Sequence, residues 1–470
     1  MNSFRSRLCL WALAWMALWC GGCTELFFIF GPGGAFGPPA AATSGSTSSS
    51  TNTTITPPSF QVSALDPQFE TTAGAKVVAV ADMNGDGLPD VVSGSDESQP
   101  IQLHLHNGLP VSFNLFTIAG GGPIARMIDL RIADFDGDGN PDVAVLVQDT
   151  GFVPVVGASI RGAVVLLFAP SDPTNVLSWT EVTLSATFVI AGDGLGLTAF
   201  EVADIDGDTR PDIVLASNET GSVSNIRLYF NPGGATARNG GAWIESAAPV
   251  EVDVNPIRTL VVGDLDQDGD TDVVAGFPQA KTANIRWMVN PLVEAGPVAT
   301  FTGAWTRRLV GQQAEVDPNN QGADLLDVED INNDGFPDVA AAHAGLGVVQ
   351  WFENPGAGFI SLQSFPWRVF DIGQLQNGVV INQLQLVDLN LDSQVDVFVT
   401  ASGNMVGFQP GAQVQDRWLG FSILATNPVA DIGRAAFADV NFDGRRDIIA
   451  PLDRPGVSQD QFLIFTRLSP

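Results

Sequence analysis

One nine-residue pattern occurs seven times in this 470-residue chain: DMNGDGLPD (82–90), DFDGDGNPD (134–142), DIDGDTRPD (204–212), DLDQDGDTD (264–272), DINNDGFPD (330–338), DLNLDSQVD (388–396) and DVNFDGRRD (439–447). The copies start 52, 70, 60, 66, 58 and 51 residues apart. A period of this size means one supersecondary unit repeated, each unit burying its apolar face against the next. Short β-branched runs flank the copies, as in Val77–Ala81 before the first and Val143–Val147, Ile213–Ala216, Val273–Ala275 and Val397–Thr400 after others. Such runs read as buried strands.

A third strand follows in each unit: Ile101–His106, Val164–Phe168, Ile226–Phe230, Ile285–Val289, Val348–Phe352, Met405–Phe408 and Phe462–Thr466. Asn231-Pro232, Asn290-Pro291 and Asn354-Pro355 mark turns after three of them. A fourth strand opens with Phe113, Trp179, Trp243, Trp305, Trp367 or Trp418. Four strands in each of seven units predict an all-β, seven-bladed β-propeller. After the seventh loop the chain supplies two more strands, and an extra strand, Phe60–Leu65, precedes the first. The N-terminal strand is therefore expected to complete the last blade and remove an open sheet edge.

The loops supply oxygen. Positions 1, 3, 5 and 9 are Asp82, Asn84, Asp86 and Asp90; Asp134, Asp136, Asp138 and Asp142; Asp204, Asp206, Asp208 and Asp212; Asp264, Asp266, Asp268 and Asp272; Asp330, Asn332, Asp334 and Asp338; Asp388, Asn390, Asp392 and Asp396; Asp439, Asn441, Asp443 and Asp447. The position-7 backbone carbonyls of Leu88, Asn140, Arg210, Asp270, Phe336, Gln394 and Arg445 are further candidates. An all-oxygen set suits Ca²⁺ rather than zinc. The loop lacks the Glu at position 12 of a helix-flanked EF-hand. Gly at position 6 permits a sharp turn. Completeness of ligands and glycines ranks loop two first and loop six, with Leu391 and Ser393, last. Up to seven structural Ca²⁺ ions follow from this reading.

Charge fits the same picture. The chain has 52 Asp plus Glu against 21 Lys plus Arg, a net charge of −31, yet is 45% hydrophobic. Such acidity disfavours nucleic acid, while the apolar content argues against disorder. Positions 1, 3, 5 and 9 of the loops hold 24 of the 52 acids.

With these residues the chain resembles the FG-GAP/VCBS repeat family, whose best-known fold is the integrin α-subunit head. The resemblance spans 59–470 and implies an extracellular, calcium-bound propeller used for binding or adhesion; a monomer with a protein or carbohydrate ligand is the expectation. The Phe-Gly and Gly-Ala-Pro signatures are poorly kept, which places the chain nearer the bacterial members.

Residues 1–23 resemble a bacterial lipoprotein signal: Arg5 and Arg7, the apolar run Leu8–Trp19, then Gly21-Gly22-Cys23, with Cys23 the expected lipidation site. An uncleaved anchor helix through Phe27–Phe30 is the alternative, with Glu25 against it. All three cysteines (Cys9, Cys20, Cys23) lie here, so no disulfide framework supports the propeller. Residues 24–58 contain a Ser/Thr-rich, Pro-Pro-terminated stretch and read as a low-complexity tether. The expected location is the bacterial cell envelope, at the outer membrane or cell surface.

No catalytic motif stands out. His104 and His106 share one strand face, as a metal pair or as structural residues. Gly192, Gly194 and Gly196 read as a loop. The repeated Trp residues either stack sugars or pack between blades. Two function classes besides recognition stay open: a polysaccharide-acting lyase or hydrolase with acids in the central channel or on the loop face, and a structural envelope component. The longest loops on the face opposite the acidic loops, Gln148–Gly162 and Gly311–Asp324, are the expected partner-binding region.

Overall fold

The computed structural model describes residues 58–65, 75–95, 100–119, 126–148, 162–184, 196–219, 223–280, 284–292, 300, 302, 305–311, 323–344, 346–356, 367–375, 379–425, 430–454 and 461–468. The signal, Cys23, the tether and most of both long loops lie outside these residues. Among the described residues, no helix is long and apolar enough to cross a membrane.

Seven antiparallel sheets form a seven-bladed β-propeller. Blade one comprises Ala75–Ala81, Asp90–Ser95, Ile101–His106 and Phe113–Ala119; blade two, Arg126–Ala133, Asp142–Gln148, Ala163–Phe168 and Thr180–Leu184. Blade three comprises Gly196–Ala203, Asp212–Glu219, Val223–Phe230 and an outer strand split into Ile244–Glu245 and Glu251–Asp253. Blade four is Thr259–Gly263, Asp272–Gly276, Ile285–Val289 and Thr306–Gly311; blade five, Leu325–Glu329, Asp338–His343, Val348–Glu353 and Arg368–Gln374. Blade six is Ile381–Val387, Asp396–Ala401, Asn404–Gln409 and Leu419–Ala425. Every second strand opens on the position-9 Asp of its loop.

Blade seven closes the ring as expected. Asp431–Ile432 and Ala436–Ala438 form its split inner strand, followed by Asp447–Asp453 and Gln461–Leu468, and N-terminal Ser59–Ala64 is its outer strand. The register runs from Ser59 opposite Leu468 to Ala64 opposite Leu463. Blades seven and one also meet directly. Arg434 N–H donates to the Lys76 carbonyl at 2.9 Å, and Lys76 Nζ pairs with Asp431 at 2.8 Å. The approach is so close that a Cβ at Gly433 would run into the Lys76 carbonyl.

The core is divided by blade interface. Seven apolar clusters each join two consecutive blades. The repeated aromatics belong to them: Trp243 between blades two and three, Trp367 between four and five, Trp418 between five and six. Trp287 and Trp351 are fully buried. Between the two readings of the Trp residues, the packing one describes their position.

All seven loops share one backbone path, with positive φ at positions 4 and 6. Position 4 is Gly85, Gly137, Gly207, Gln267, Asn333, Leu391 and Phe442; position 6 is Gly87, Gly139, Thr209, Gly269, Gly335, Ser393 and Gly444. A left-handed residue with a Cβ costs roughly 1–2 kcal/mol unless it is Asn or Asp. Loop six holds two such residues, Leu391 at φ 59° and Ser393 at φ 66°. Replacing half-exposed Leu391 with Asn is expected to stabilise the protein by roughly 1 kcal/mol. A urea midpoint unchanged or lowered by Leu391→Asn would contradict this backbone assignment.

Candidate metal centres

Each loop is organised by its own carboxylates accepting backbone N–H groups. In loop two, Asp134 at position 1 accepts from Gly137 (2.8 Å) and Asp138 (3.2 Å) on Oδ1 and from Gly139 (2.9 Å) on Oδ2. Loops one and three repeat all three contacts around Asp82 and Asp204. In the other loops Asp264, Asp330, Asp388 and Asp439 accept from positions 5 and 6. Position 3 accepts from the position-5 N–H at Asn84, Asp136, Asn332, Asn390 and Asn441. Position 5 accepts the N–H of position 7 in all seven loops, from Leu88, Asn140, Arg210, Asp270, Phe336, Gln394 and Arg445 at 2.8–3.2 Å.

The position-9 aspartates have a second duty. Asp90, Asp142, Asp212, Asp272, Asp338, Asp396 and Asp447 have no exposed surface. Oδ2 of each accepts the position-2 N–H of its loop, at 2.9–3.1 Å. In six blades Oδ1 also accepts an N–H at the end of the third strand, from His106, Ala169, Asn231, Asn290, Asn354 or Arg467, at 2.7–2.8 Å. This carboxylate thus ties the hairpin turn to the third strand.

The same third-strand residues reach on to the preceding blade. Asn231 Nδ2 donates to the Phe135 carbonyl (2.8 Å), Asn290 Nδ2 to Ile205 (2.9 Å) and Asn354 Nδ2 to Leu265 (2.9 Å). In each case the acceptor is position 2 of the previous loop. His106 makes the equivalent contact across the ring closure, Nε2 to the Val440 carbonyl at 2.9 Å, and Arg467 bonds the Leu389 carbonyl. His106 Nδ1 accepts from Gly108 N–H at 2.8 Å, which fixes the Nε2–H tautomer. His104 is buried beside Ser93, its Nε2 2.9 Å from the hydroxyl. Both histidines therefore serve structure, and the metal-pair alternative falls away. His343 is fully buried.

Burial dominates the electrostatics. It pushes the position-9 carboxyls up from about 3.8: to about 6 for Asp90 and Asp447, about 7 for Asp142, Asp212 and Asp396, and about 8 for Asp272 and Asp338. Neighbouring loop carboxylates add to the rise, Asp266 for Asp272 and Asp334 for Asp338. Asp206 is raised by burial and then by Asp208 and Asp204.

In three loops the carboxylates converge. Asp134, Asp136 and Asp142, then Asp204, Asp206 and Asp212, then Asp264, Asp266 and Asp272 each bring three ligand oxygens within 4.8 Å of one another. At that distance two ionised carboxylates repel by roughly 3–4 kcal/mol at an effective dielectric near 20. A buried oxygen, Asp268 Oδ2, has no hydrogen-bond donor. A buried acceptor without a donor costs about 1–3 kcal/mol. Hard oxygen donors, mutual repulsion and an acceptor lacking a donor all fit a bound divalent cation such as Ca²⁺.

The central channel has a different character. The seven inner strands surround a cavity of about 310 Å³ lined by Asp129, Arg131, Glu201, Asp327, Gln383 and Arg434, among others. Arg131 bridges Asp129 (2.6 Å) and Glu201 (2.7 Å), and Arg434 pairs with Asp129. Asp327 accepts from Val328 (2.9 Å) and Leu386 (2.7 Å), and burial raises its carboxyl to about 7. These acids are engaged in ion pairs and backbone contacts that join the inner strands.

The FG-GAP-like repeat family matches residues 67–145 and 204–275, and the FG-GAP repeat matches 257–299. No curated protein matches the chain. Similar solved structures include two described as the crystal structure of BBS1N in complex with ARL6DN, soaked with lead or with mercury. They are 10% and 11% identical, each covering 87% of this chain and 98% of the other, with TM-scores of 0.46 and 0.47.

Proposed function

We propose that this seven-bladed propeller, built from FG-GAP repeats, is a calcium-bound recognition scaffold held at the bacterial cell envelope by a lipid on Cys23. It presents a protein or glycan partner with the face opposite the acidic loops, around 148–162 and 311–324. The observation that carries the calcium part is the buried carboxylate oxygen without a donor, Asp268 Oδ2, in a loop whose carboxylates converge. The aspartates and asparagines of positions 1, 3, 5 and 9 would hold the ion. The ion would supply positive charge where backbone N–H groups alone leave carboxylates repelling each other.

Its role would be structural. In six blades the position-9 Asp links its loop to the end of the third strand, and in five of these the third-strand residue links on to the preceding loop. Calcium in one loop would therefore stiffen two blades and fix the geometry of the opposite face. No disulfide is available to do this, because all three cysteines lie in residues 1–23.

Recognition is tested by applying the full chain to arrayed glycans and to envelope proteins, in calcium and in chelator, with a parallel assay for polysaccharide breakdown. Calcium-dependent capture without breakdown is the expected result. Capture equally strong in chelator, or release of oligosaccharides, would contradict the reading.

A further inference from the structure

We propose that Arg238 is a tethered cation that competes with calcium for loop two and keeps blades two and three joined when calcium is scarce. This rests on the calcium reading above and concerns which loops fill first.

The loops differ at position 5. In every loop its Oδ1 accepts the position-7 N–H, which leaves Oδ2 as the oxygen not engaged by the loop backbone. In loops one, five and six the position-3 Asn satisfies it: Asn84 Nδ2 on Asp86 at 2.9 Å, Asn332 on Asp334 at 3.0 Å and Asn390 on Asp392 at 2.9 Å. In loops three and seven the arginine at position 7 of the same loop does so, Arg210 on Asp208 and Arg445 on Asp443. In loop four, Asp268 Oδ2 is buried and has no donor.

Loop two is served from another blade. Arg238 lies 100 residues beyond Asp138, between two short 3₁₀ turns of blade three, Gly234–Thr236 and Gly240–Ala242. Its Nε donates to Asp136 Oδ2 at 2.5 Å and its Nη2 to Asp138 Oδ2 at 3.1 Å. The guanidinium carbon sits 5.3 Å from the Phe168 ring centroid, within cation–π range. Asp136's side chain is only 4% exposed, so this contact is shielded from solvent on the carboxylate side. A forked, charge-assisted contact is stronger and more directional than a neutral hydrogen bond.

Calcium at loop two needs carboxylate oxygen from positions 3 and 5. Arg238 holds the outer oxygen of both. The other arginines at these loops touch one position each: Arg210 and Arg445 position 5 of their own loops, and Arg308 position 3 of loop four at 3.3 Å. Loop two, the most complete by residue type, is thus the most strongly opposed. Of the three convergent loops, loop four fills at the lowest calcium and loop two at the highest.

Terbium titration of the full chain tests this. Trp243, whose ring centroid lies 6.1 Å from that of Phe135 at position 2 of loop two, serves as the sensitiser for the ion there. Arg238→Gln is expected to move the Trp243-dependent signal, assigned with Trp243→Phe, to terbium concentrations lower by on the order of tenfold. The same variant is expected to melt earlier in chelator, having lost its clamp. Arg238→Lys, which keeps the charge without the fork, should fall between wild type and Gln and guards against a Gln variant that fails to fold. An unchanged or weakened loop-two signal in a folded Gln variant overturns the proposal. A wild-type protein that binds neither calcium nor terbium overturns the calcium reading itself.

Discussion

Asp272→Ala is expected to destabilise the protein by roughly 3–5 kcal/mol even in chelator, whereas Asp268→Ala, four residues away, should cost less than about 1 kcal/mol there. Both residues are candidate ligands of loop four, but their other contacts differ. Asp272 has no exposed surface. It accepts the Leu265 N–H at 3.1 Å and the Asn290 N–H at 2.8 Å. Truncation strands two buried donors, at about 1–3 kcal/mol each. It also frees Asn290, whose Nδ2 bonds the Ile205 carbonyl of blade three and Thr271 of its own loop.

Asp268, by contrast, accepts one N–H, that of Asp270 at 3.2 Å, and its Oδ2 has no donor. Its removal loses little besides the ion. In calcium both variants should therefore be destabilised, and in chelator only Asp272→Ala. Denaturant titration under the two conditions separates the roles. Equal costs in chelator would show that position 9 is no more than a metal ligand.

Much of this architecture is legible in the sequence because the repeat is dense in chemistry. The acids at positions 1, 3, 5 and 9 are spaced as one loop, the β-branched runs around them are too short for helices, and seven loops against six complete sets of strands require the N-terminal strand in the last blade. The position-4 conformation is not legible, since Gln267, Asn333, Leu391 and Phe442 occupy it beside three glycines. Left-handed backbone at those sites is imposed by the shared loop path rather than by residue type.

The staple at the end of the third strand is hidden for a similar reason. His106, Asn231, Asn290, Asn354 and Arg467 do one job with three chemistries, and no single pattern reveals it. The Asn-Pro pairs do signal turns: Asn231 Oδ1 accepts the Gly233 N–H, and Asn354 Oδ1 that of Gly356. Their amide nitrogens carry the inter-blade contact as well. Arg238 is legible only in three dimensions, because its partners lie about 100 residues earlier in another blade.

Calcium and protons compete for the same oxygens, and this sets the most direct test. The position-9 carboxyls titrate at about 6 to about 8 in the folded protein, against about 3.8 when unburied. Between those values the folded chain retains protons that the unfolded chain has released. A raised carboxyl therefore favours the folded state at low pH, and that advantage is lost as pH climbs from about 4 to about 8. Calcium reverses the slope, since it binds the ionised carboxylates and its hold strengthens over the same interval.

At a dissociation constant of about 10⁻⁴–10⁻³ M, about 10 mM calcium adds roughly 1.4–2.7 kcal/mol for each filled site. Several sites filled together make the effect large. The decisive measurement is the melting temperature of the protein in calcium and in chelator, each at pH near 5 and near 8. The expectation is a chelated protein that melts earlier at the higher pH, and a calcium-dependent rise that is larger at pH near 8 than near 5. Superimposable melting curves with and without calcium at pH near 8 would contradict it.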